Sequence, residues 1–498
     1  MPLGRNLAAN AGGQAWSFLL NIVALPVYLH LLGPESYALV GFGLTVQVWA
    51  TLLDAGMSPT LARDMARLKS GALPEREVHS FVRSLDWICL ALVAIICLAG
   101  YLTRGWWGEA WFQDHRLAPD MVGDAVALII AFSVIRWAAG LYRSAVMGLE
   151  RQVLANAVSA AGNTLRLLGA IPILAWVPDP RLMFAAWVIF AMIELALFRL
   201  IVRASFATRL PLFHFSGATL KHRAGLAGGI AFLSVVWILI TQLDKLVLAR
   251  LLPMAEYGYF SLAVVLSNGI LMVAVPIAQA YQPRLTIAAT TGREEELRRL
   301  FHDATQLTVL ATFVPAAVIA AFPFALVQLW TGDAAAARAV APYLGYYLAG
   351  SALVGLAGLI YGLQLAYGNV RLHVAAHIVF AIVLLPAVIY VAGRFGAPGA
   401  ARLWLAINLA FAIFYFPIVL RRWLPGTMTV WYLRDIALPV ALVFAIAFAG
   451  RAWLPAGGLG QLLWLGLVAA LAGGAAALAL PAVRRPLLAR LASGRARR

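Results

Sequence analysis

The residues best placed to do chemistry are the few charges set inside apolar runs. Arg136, Arg143 and Arg166 stand in stretches built otherwise mainly from Ala, Leu, Ile, Val and Trp. An Arg or Lys at the centre of a membrane helix costs ~2.5–3.5 kcal/mol to insert, so it faces a partner or a water-filled cavity. Arg136 and Arg143 are two helical turns apart and project from one face at a separation of ~10 Å. A guanidinium offers a fork of N–H donors that fits phosphate oxygens bidentately, so these three arginines suit an anionic, phosphate-bearing ligand. The competing reading is that each pairs with a carboxylate such as Asp124 or Glu194 and only holds helices together, while Arg143 could also reach the membrane surface. Lys245 is the candidate cation of the second half, although Asp244 directly precedes it and a locally neutral pair is the simpler reading. Asp54, Asp124, Glu194 and Asp244 are candidates for coupling to protons or sodium, because a carboxyl group in a low-dielectric cavity can titrate near neutrality. Asp54 is followed by Gly56 and Ser58-Pro59, which predicts a broken helix whose freed carbonyls line a cavity. The alternative there is a plain helix-end carboxylate near the cytoplasmic face.

Enzyme signatures are missing. The sequence holds no GxxxxGK phosphate loop and no HExxH, so ATP-driven transport by this chain alone is not expected. Cys89 and Cys97, the only two cysteines, share one apolar run and read as packing residues, so neither a disulfide framework nor a thiolate metal site is available. His373 and His377, at i and i+4, could share a metal or a proton. Interfacial or packed histidines are the better reading, and no cofactor or metal is expected.

The elements that must hold these residues follow from composition. Of 498 residues 63% are apolar and 12% charged, and the mean hydropathy is +0.86. This excludes a water-soluble fold and any large soluble domain. A formal charge of +17 would suggest nucleic acid on a water-soluble face, but here the basic residues are parcelled into short segments between apolar runs. No nucleic-acid partner is expected. Spans are predicted near 8–32, 36–62, 84–103, 121–149, 153–177 and 182–200, then 225–251, 257–282, 304–330, 339–368, 371–392 and 399–420, with two more near 436–455 and 459–481. Alternate loops hold 26 Arg and Lys on one side and six on the other. The richer side is cytoplasmic, which places both termini there. The segment from Arg104 carrying Trp106, Trp107 and Trp111 reads as an interfacial aromatic belt.

At an offset of 220, "LLGPESYALV" from Leu31 lies over "LLPMAEYGYF" from Leu251, matching Leu31 with Leu251, Leu32 with Leu252 and Tyr37 with Tyr257. With the same span spacing and insertion polarity, this predicts a parallel repeat. The expected architecture is an all-α polytopic membrane protein of about 14 transmembrane helices: two pseudo-symmetric six-helix lobes around a central cavity, plus two C-terminal helices. Its divisions are an N-terminal lobe at 1–200, a cytoplasmic linker at 201–224, a second lobe at 225–420, and 421–498 with the added helices and a basic tail.

Four segments carry a family resemblance: "NLAANAGGQAWSFLLNIVALPVYLHLLGPESYALVGFG", "LLDAGMSPTLARDMA", "GLERQVLANAV" and "QLDKLVLARLLPMAEYGYFSLA". Together they resemble the Wzx-type polysaccharide flippases of the multidrug/oligosaccharidyl-lipid/polysaccharide exporter superfamily over roughly the first 420 residues. The resemblance implies that the chain moves an undecaprenyl-pyrophosphate-linked oligosaccharide, an O-antigen, capsule or exopolysaccharide unit, from the cytoplasmic to the periplasmic leaflet of a bacterial inner membrane. It also implies alternating access driven by a proton or sodium gradient, contact with membrane lipid, a possible glycan polymerase partner, and cationic and aromatic cavity residues. Arg136, Arg143 and Arg166 match that role by type and depth. Peptidoglycan-precursor flippases of the superfamily carry arginines in the first span, whereas here none stands between Asn6 and Leu32, which argues against that branch. A glycan polymerase or ligase and a drug exporter of the superfamily are the alternatives. The arginines of the first lobe fit an anionic substrate better than a cationic drug.

Overall fold

Proline and glycine set the breaks between the helices, and the computed structural model shows where. It describes residues 3–112, 116–208, 210–211 and 214–484; within these, the side chains of 3–11, 220 and 222–234 are not described. Arg209, the side chains of Arg5 and Arg223, and the basic tail from Arg485 therefore lie outside the described residues.

The first compact unit is Met1–Gly258. It holds α1 (Leu3–Ala50), α2 (Met57–Lys69), α3 (Glu75–Leu102), α4 (Pro119–Gly148), α5 (Gln152–Trp176), α6 (Pro180–Arg203) and α7 (Gly217–Leu251). Gly33 interrupts α1 with φ of 75°, a conformation that costs glycine nothing and other residues about 1 kcal/mol or more. Proline follows it directly. Starts are equally legible: α4 and α6 open on proline at the first helical position, and the Asp179 carboxylate caps α6 by accepting from the Arg181 N–H at 2.8 Å. α4 runs through the middle of this unit, packed against α1, α2, α3 and α6. Its core with α2, α3 and α6 includes Leu61, Phe81, Leu85, Cys89, Leu141, Tyr142 and Phe198. Trp106, Trp107 and Trp111 pack on one another at ring separations of 4.9–5.5 Å beside the start of α4.

The second unit, Tyr259–Arg498, begins inside α8 (Met254–Thr290). It continues with α9 (Glu294–Ala321), α10 (Pro323–Thr331), α11 (Ala334–Ala366), α12 (Arg371–Ala410), α13 (Phe416–Trp423), α14 (Leu438–Ala449) and α15 (Gly458–Ala479). α14 and α15 pack on α9 through small residues, among them Ala317, Ala321, Ala447, Ala472 and Ala476, which let helices approach closely where lipid removes any hydrophobic drive.

The chain is a multi-pass membrane protein, all-helical with no strand among the described residues. Eleven helical segments among them are long and apolar enough to cross a membrane. Two are far longer than one crossing needs. Gly12–Asp54 and Arg371–Trp423, of 43 and 53 residues, extend about 65 and 80 Å at 1.5 Å per residue, against a hydrocarbon core of ~30 Å. Each is broken at a glycine, Gly33 or Gly396. The expectation of fourteen counts each of these as two spans and adds α7. The turn at Gly33-Pro34 recurs 220 residues later, where α7 ends at Leu251 and α8 begins after Pro253. Tyr37 and Tyr257, the matched tyrosines, are both fully buried.

Candidate functional site

The break expected after Asp54 is present. α1 ends at Ala50, Thr51–Asp54 form one tight turn, and Ala55 and Gly56 take left-handed φ values of 41° and 80°. Pro59 then falls in the first turn of α2, where its missing N–H costs no hydrogen bond. The Asp54 carboxylate caps that turn, accepting from the Ser58 N–H at 3.2 Å and from the Ser58 hydroxyl.

Against this break lies a cavity of about 600 Å³ lined by Gln47, Thr51, Asp54 and Ser58, by Ser133, Arg136, Trp137 and Gly140, and by Trp237, with apolar neighbours. The four α4 residues share one face because they recur at i, i+3, i+4 and i+7. Asp54 and Arg136 are the two charged residues in this lining. The Trp137 indole N–H has no acceptor among the described residues. A partly exposed guanidinium in a wall of hydroxyl and amide groups suits an oxygen-rich, anionic ligand.

The Arg136 guanidinium is ion-paired with Glu194 of α6, whose side chain is 4% exposed against 26% for Arg136. The Ser159 hydroxyl also donates to Glu194, at 3.4 Å. Gly162 makes room for the carboxylate, since a Cβ there would stand 2.8 Å from Glu194 Oε2. The two readings of Arg136 therefore meet in one residue: it has a carboxylate partner and it lines the cavity.

Arg166 and Arg143 are held elsewhere. Arg166 is buried, 4.8 Å from the Trp187 ring and 5.5 Å from the Phe132 ring, and donates to Asn163 at 3.5 Å. Its Nε and Nη1 have no hydrogen-bond partner, and it has no ion pair among the described residues. Arg143 donates to Asn156 at 3.0 Å. Asn156, Ser159, Asn163 and Arg166 thus form a polar stripe on one face of α5 at i, i+3, i+7 and i+10.

Asp124 is not brought to the cavity. It lies in the second turn of α4, 3.9 Å from Arg104 and 3.8 Å from Arg181, with its side chain 41% exposed. Lys245 and Asp244 form a buried ion pair at 2.9 Å, and the ammonium also donates to the Thr241 carbonyl. His373 Nδ1 is 3.2 Å from the Tyr415 hydroxyl, and His377 Nδ1 is 2.9 Å from the His373 carbonyl. No group of three or more His, Cys, Asp or Glu able to hold a metal is found among the described residues.

Gln47, Thr51, Ser133, Trp137 and Trp237 are the polar and aromatic lining residues that reasoning from sequence passed over. The adjacent Arg136-Trp137 pair inside an apolar run was the available signal. Trp237 had none, because nothing local places it at the cavity beside the Thr51–Asp54 turn.

A profile of the polysaccharide biosynthesis protein family matches residues 3–287. Among curated proteins none matches the chain. Several solved structures share the fold. An inward-facing multidrug resistance MATE family transporter of the MOP superfamily is 18% identical with a TM-score of 0.67, covering 82% of this chain and 94% of that one. The lipid II flippase MurJ, in an inward closed conformation, is 13% identical with a TM-score of 0.70, covering 94% and 97%. A MOP superfamily transporter from Pyrococcus furiosus, described as having a binding pocket of reverse polarity, is 15% identical with a TM-score of 0.56, covering 84% and 95%. At these identities the likeness establishes the fold, which is that of MOP-superfamily transporters.

Proposed function

The chain belongs to the polysaccharide biosynthesis protein family, and from that membership we propose that it is a flippase carrying an undecaprenyl-pyrophosphate-linked oligosaccharide from the cytoplasmic to the periplasmic leaflet. Its family and its structural neighbours are transporters and flippases rather than catalysts. The observation that carries the reading is Arg136, a guanidinium in a cavity wall whose only ion-pair partner among the described residues is the buried Glu194.

Pyrophosphate brings several negative oxygens into a low-dielectric space and loses water there. Charge-assisted hydrogen bonds of ~1.5–3 kcal/mol each offset that loss. Arg136 supplies such bonds by turning part of its fork from Glu194 to the ligand, while the Gln47 amide meets sugar oxygens. About 600 Å³ falls in the range of small-ligand sites, so it takes the pyrophosphate and first sugar, with the prenyl tail left in lipid. Arg166 of α5 and Arg143 of α4 back this site, and Lys245 of α7 is the further cation of the reading. Of the four candidate carboxylates, Asp54 lines the cavity and Glu194 holds Arg136, so these two stand nearest the site for gradient coupling. On this reading the chain sits in a bacterial inner membrane with both termini cytoplasmic and moves its cargo by alternating access.

Purified protein in liposomes tests the reading: the lipid-linked oligosaccharide should cross between leaflets with its mass unchanged. Polymerised or transferred glycan would instead identify a polymerase or ligase, and efflux of cationic drugs without glycolipid movement would identify a drug exporter.

A further inference from the structure

Away from the cavity, three arginines converge on one buried carboxylate. Asp86 of α3, with its side chain 4% exposed, accepts at Oδ1 from Arg199 Nε at 3.0 Å and from the Tyr142 hydroxyl. Its Oδ2 lies 3.5 Å from Arg203 Nη2 and 3.6 Å from Arg83 Nη1. Three hydrogen bonds and the Arg83 ion pair occupy both oxygens of the one carboxylate, whereas three guanidiniums bring fifteen N–H groups. The cluster therefore has a surplus of donors and a net charge of about +2. Nε of Arg83 and Nε of Arg203 are buried with no hydrogen-bond partner among the described residues. Arg199 and Arg203 remain 39% and 36% exposed.

The setting is fixed as well as charged. The segment after α6 is fastened along α3: the Thr208 N–H and hydroxyl donate to Glu75 at 2.6 and 2.8 Å, Phe206 stacks on His79 at 4.4 Å, and His214 meets the Ser80 hydroxyl at 2.7 Å. Arg83 lies near the start of α3, and Arg199 and Arg203 at the end of α6, the side that the charge count assigns to the cytoplasm. None of these residues lines the cavity.

We propose that the Asp86, Arg83, Arg199 and Arg203 cluster is a second binding site, for a lipid-borne phosphate group of the cytoplasmic leaflet carrying about two negative charges. The free edges of the forks take phosphate oxygens bidentately, and Asp86 holds the three forks in place while leaving them under-neutralised. Basic pockets between membrane helices on the cytoplasmic side are suited to such headgroups. The site stands independently of the transport reading.

Native mass spectrometry of the full chain in mild detergent tests it, with phosphatidylcholine, cardiolipin, a polyprenyl pyrophosphate and inorganic pyrophosphate as probes. The expected result is at least tenfold tighter binding of cardiolipin or the polyprenyl pyrophosphate than of phosphatidylcholine. Whichever of the two binds more tightly names the source of the phosphate. Arg199→Gln with Arg203→Gln should abolish that preference, and Arg199→Gln alone, at a half-exposed side chain, should weaken it several-fold. Asp86→Asn should strengthen it, because the net charge rises to about +3, the opposite of what loss of a purely structural tie would do. Arg136→Ala should leave the cardiolipin preference intact, which separates this site from the cavity. Equal binding of cardiolipin, polyprenyl pyrophosphate and phosphatidylcholine overturns the proposal. So does a preference unchanged in the arginine variants, or inorganic pyrophosphate binding as tightly as the lipids.

Discussion

Removing Arg136 should harm the protein more than neutralising Glu194, although both changes break the same ion pair. The asymmetry comes from burial. Glu194 is 4% exposed and, among the described residues, keeps one hydrogen bond, from the Ser159 hydroxyl at 3.4 Å, once Arg136 is gone. A buried pair broken from one side costs ~3–5 kcal/mol because the remaining charge is stranded. Arg136→Ala should therefore destabilise by about 3 kcal/mol or more. Glu194→Gln leaves the guanidinium in a wall of the cavity, where water can solvate it, and the amide can still accept one hydrogen bond. Its cost should be ~1 kcal/mol. Arg136→Met with Glu194→Leu removes both charges, fills similar volume and should return stability to within about 1 kcal/mol of the parent, because buried pairs gain little over apolar packing. Thermal unfolding of the four proteins in one detergent gives the order. The stable double variant should nevertheless fail to transport. Glu194→Gln destabilising as much as Arg136→Ala, or no recovery in the double variant, would refute this account of the pair.

Arg166→Met removes a buried cation that has two unpartnered nitrogens and no carboxylate, so the melting temperature should hold or rise, by about 1 kcal/mol in stability; a clear fall would show a structural role instead. Gly162→Ala pushes a methyl to 2.8 Å from Glu194 Oε2 and should cost about 1–3 kcal/mol, despite the better helix propensity of alanine. The same change in a Glu194→Ala background should be harmless, which calorimetry can check. Reporter fusions after Trp107, Pro180 and Gly396 should report the periplasmic side and those after Gly71, Gly217 and Gly292 the cytoplasmic side; a reversed pattern at most sites would overturn the charge count.

Much of the architecture was legible because hydropathy and charge act along the chain. Gly33-Pro34 and Pro253 mark equivalent turns, and Asp54, Gly56 and Pro59 mark the break that opens the cavity wall. Partnership was not legible, since it depends on which faces meet. Arg136 and Glu194 are 58 residues apart, and either Asp124 or Glu194 could have answered the arginines until the structure placed Asp124 beside Arg104 and Arg181. The polar stripe Asn156, Ser159, Asn163, Arg166 has helical spacing, but neutral amides draw little notice beside charges. Asp86 was hidden for the opposite reason: at a span end, near many basic residues, it resembles an ordinary solvated carboxylate, and only its 4% exposure and three guanidinium neighbours set it apart.

The most direct measurement of the central claim is leaflet exchange of a lipid-linked oligosaccharide by the purified chain in liposomes, with Arg136 intact, as lysine and as alanine. The account predicts fast exchange for the parent, a partial rate for Arg136→Lys, which keeps charge but loses the fork, and a rate near that of empty liposomes for Arg136→Ala. Exchange by Arg136→Ala at the parent rate would contradict it.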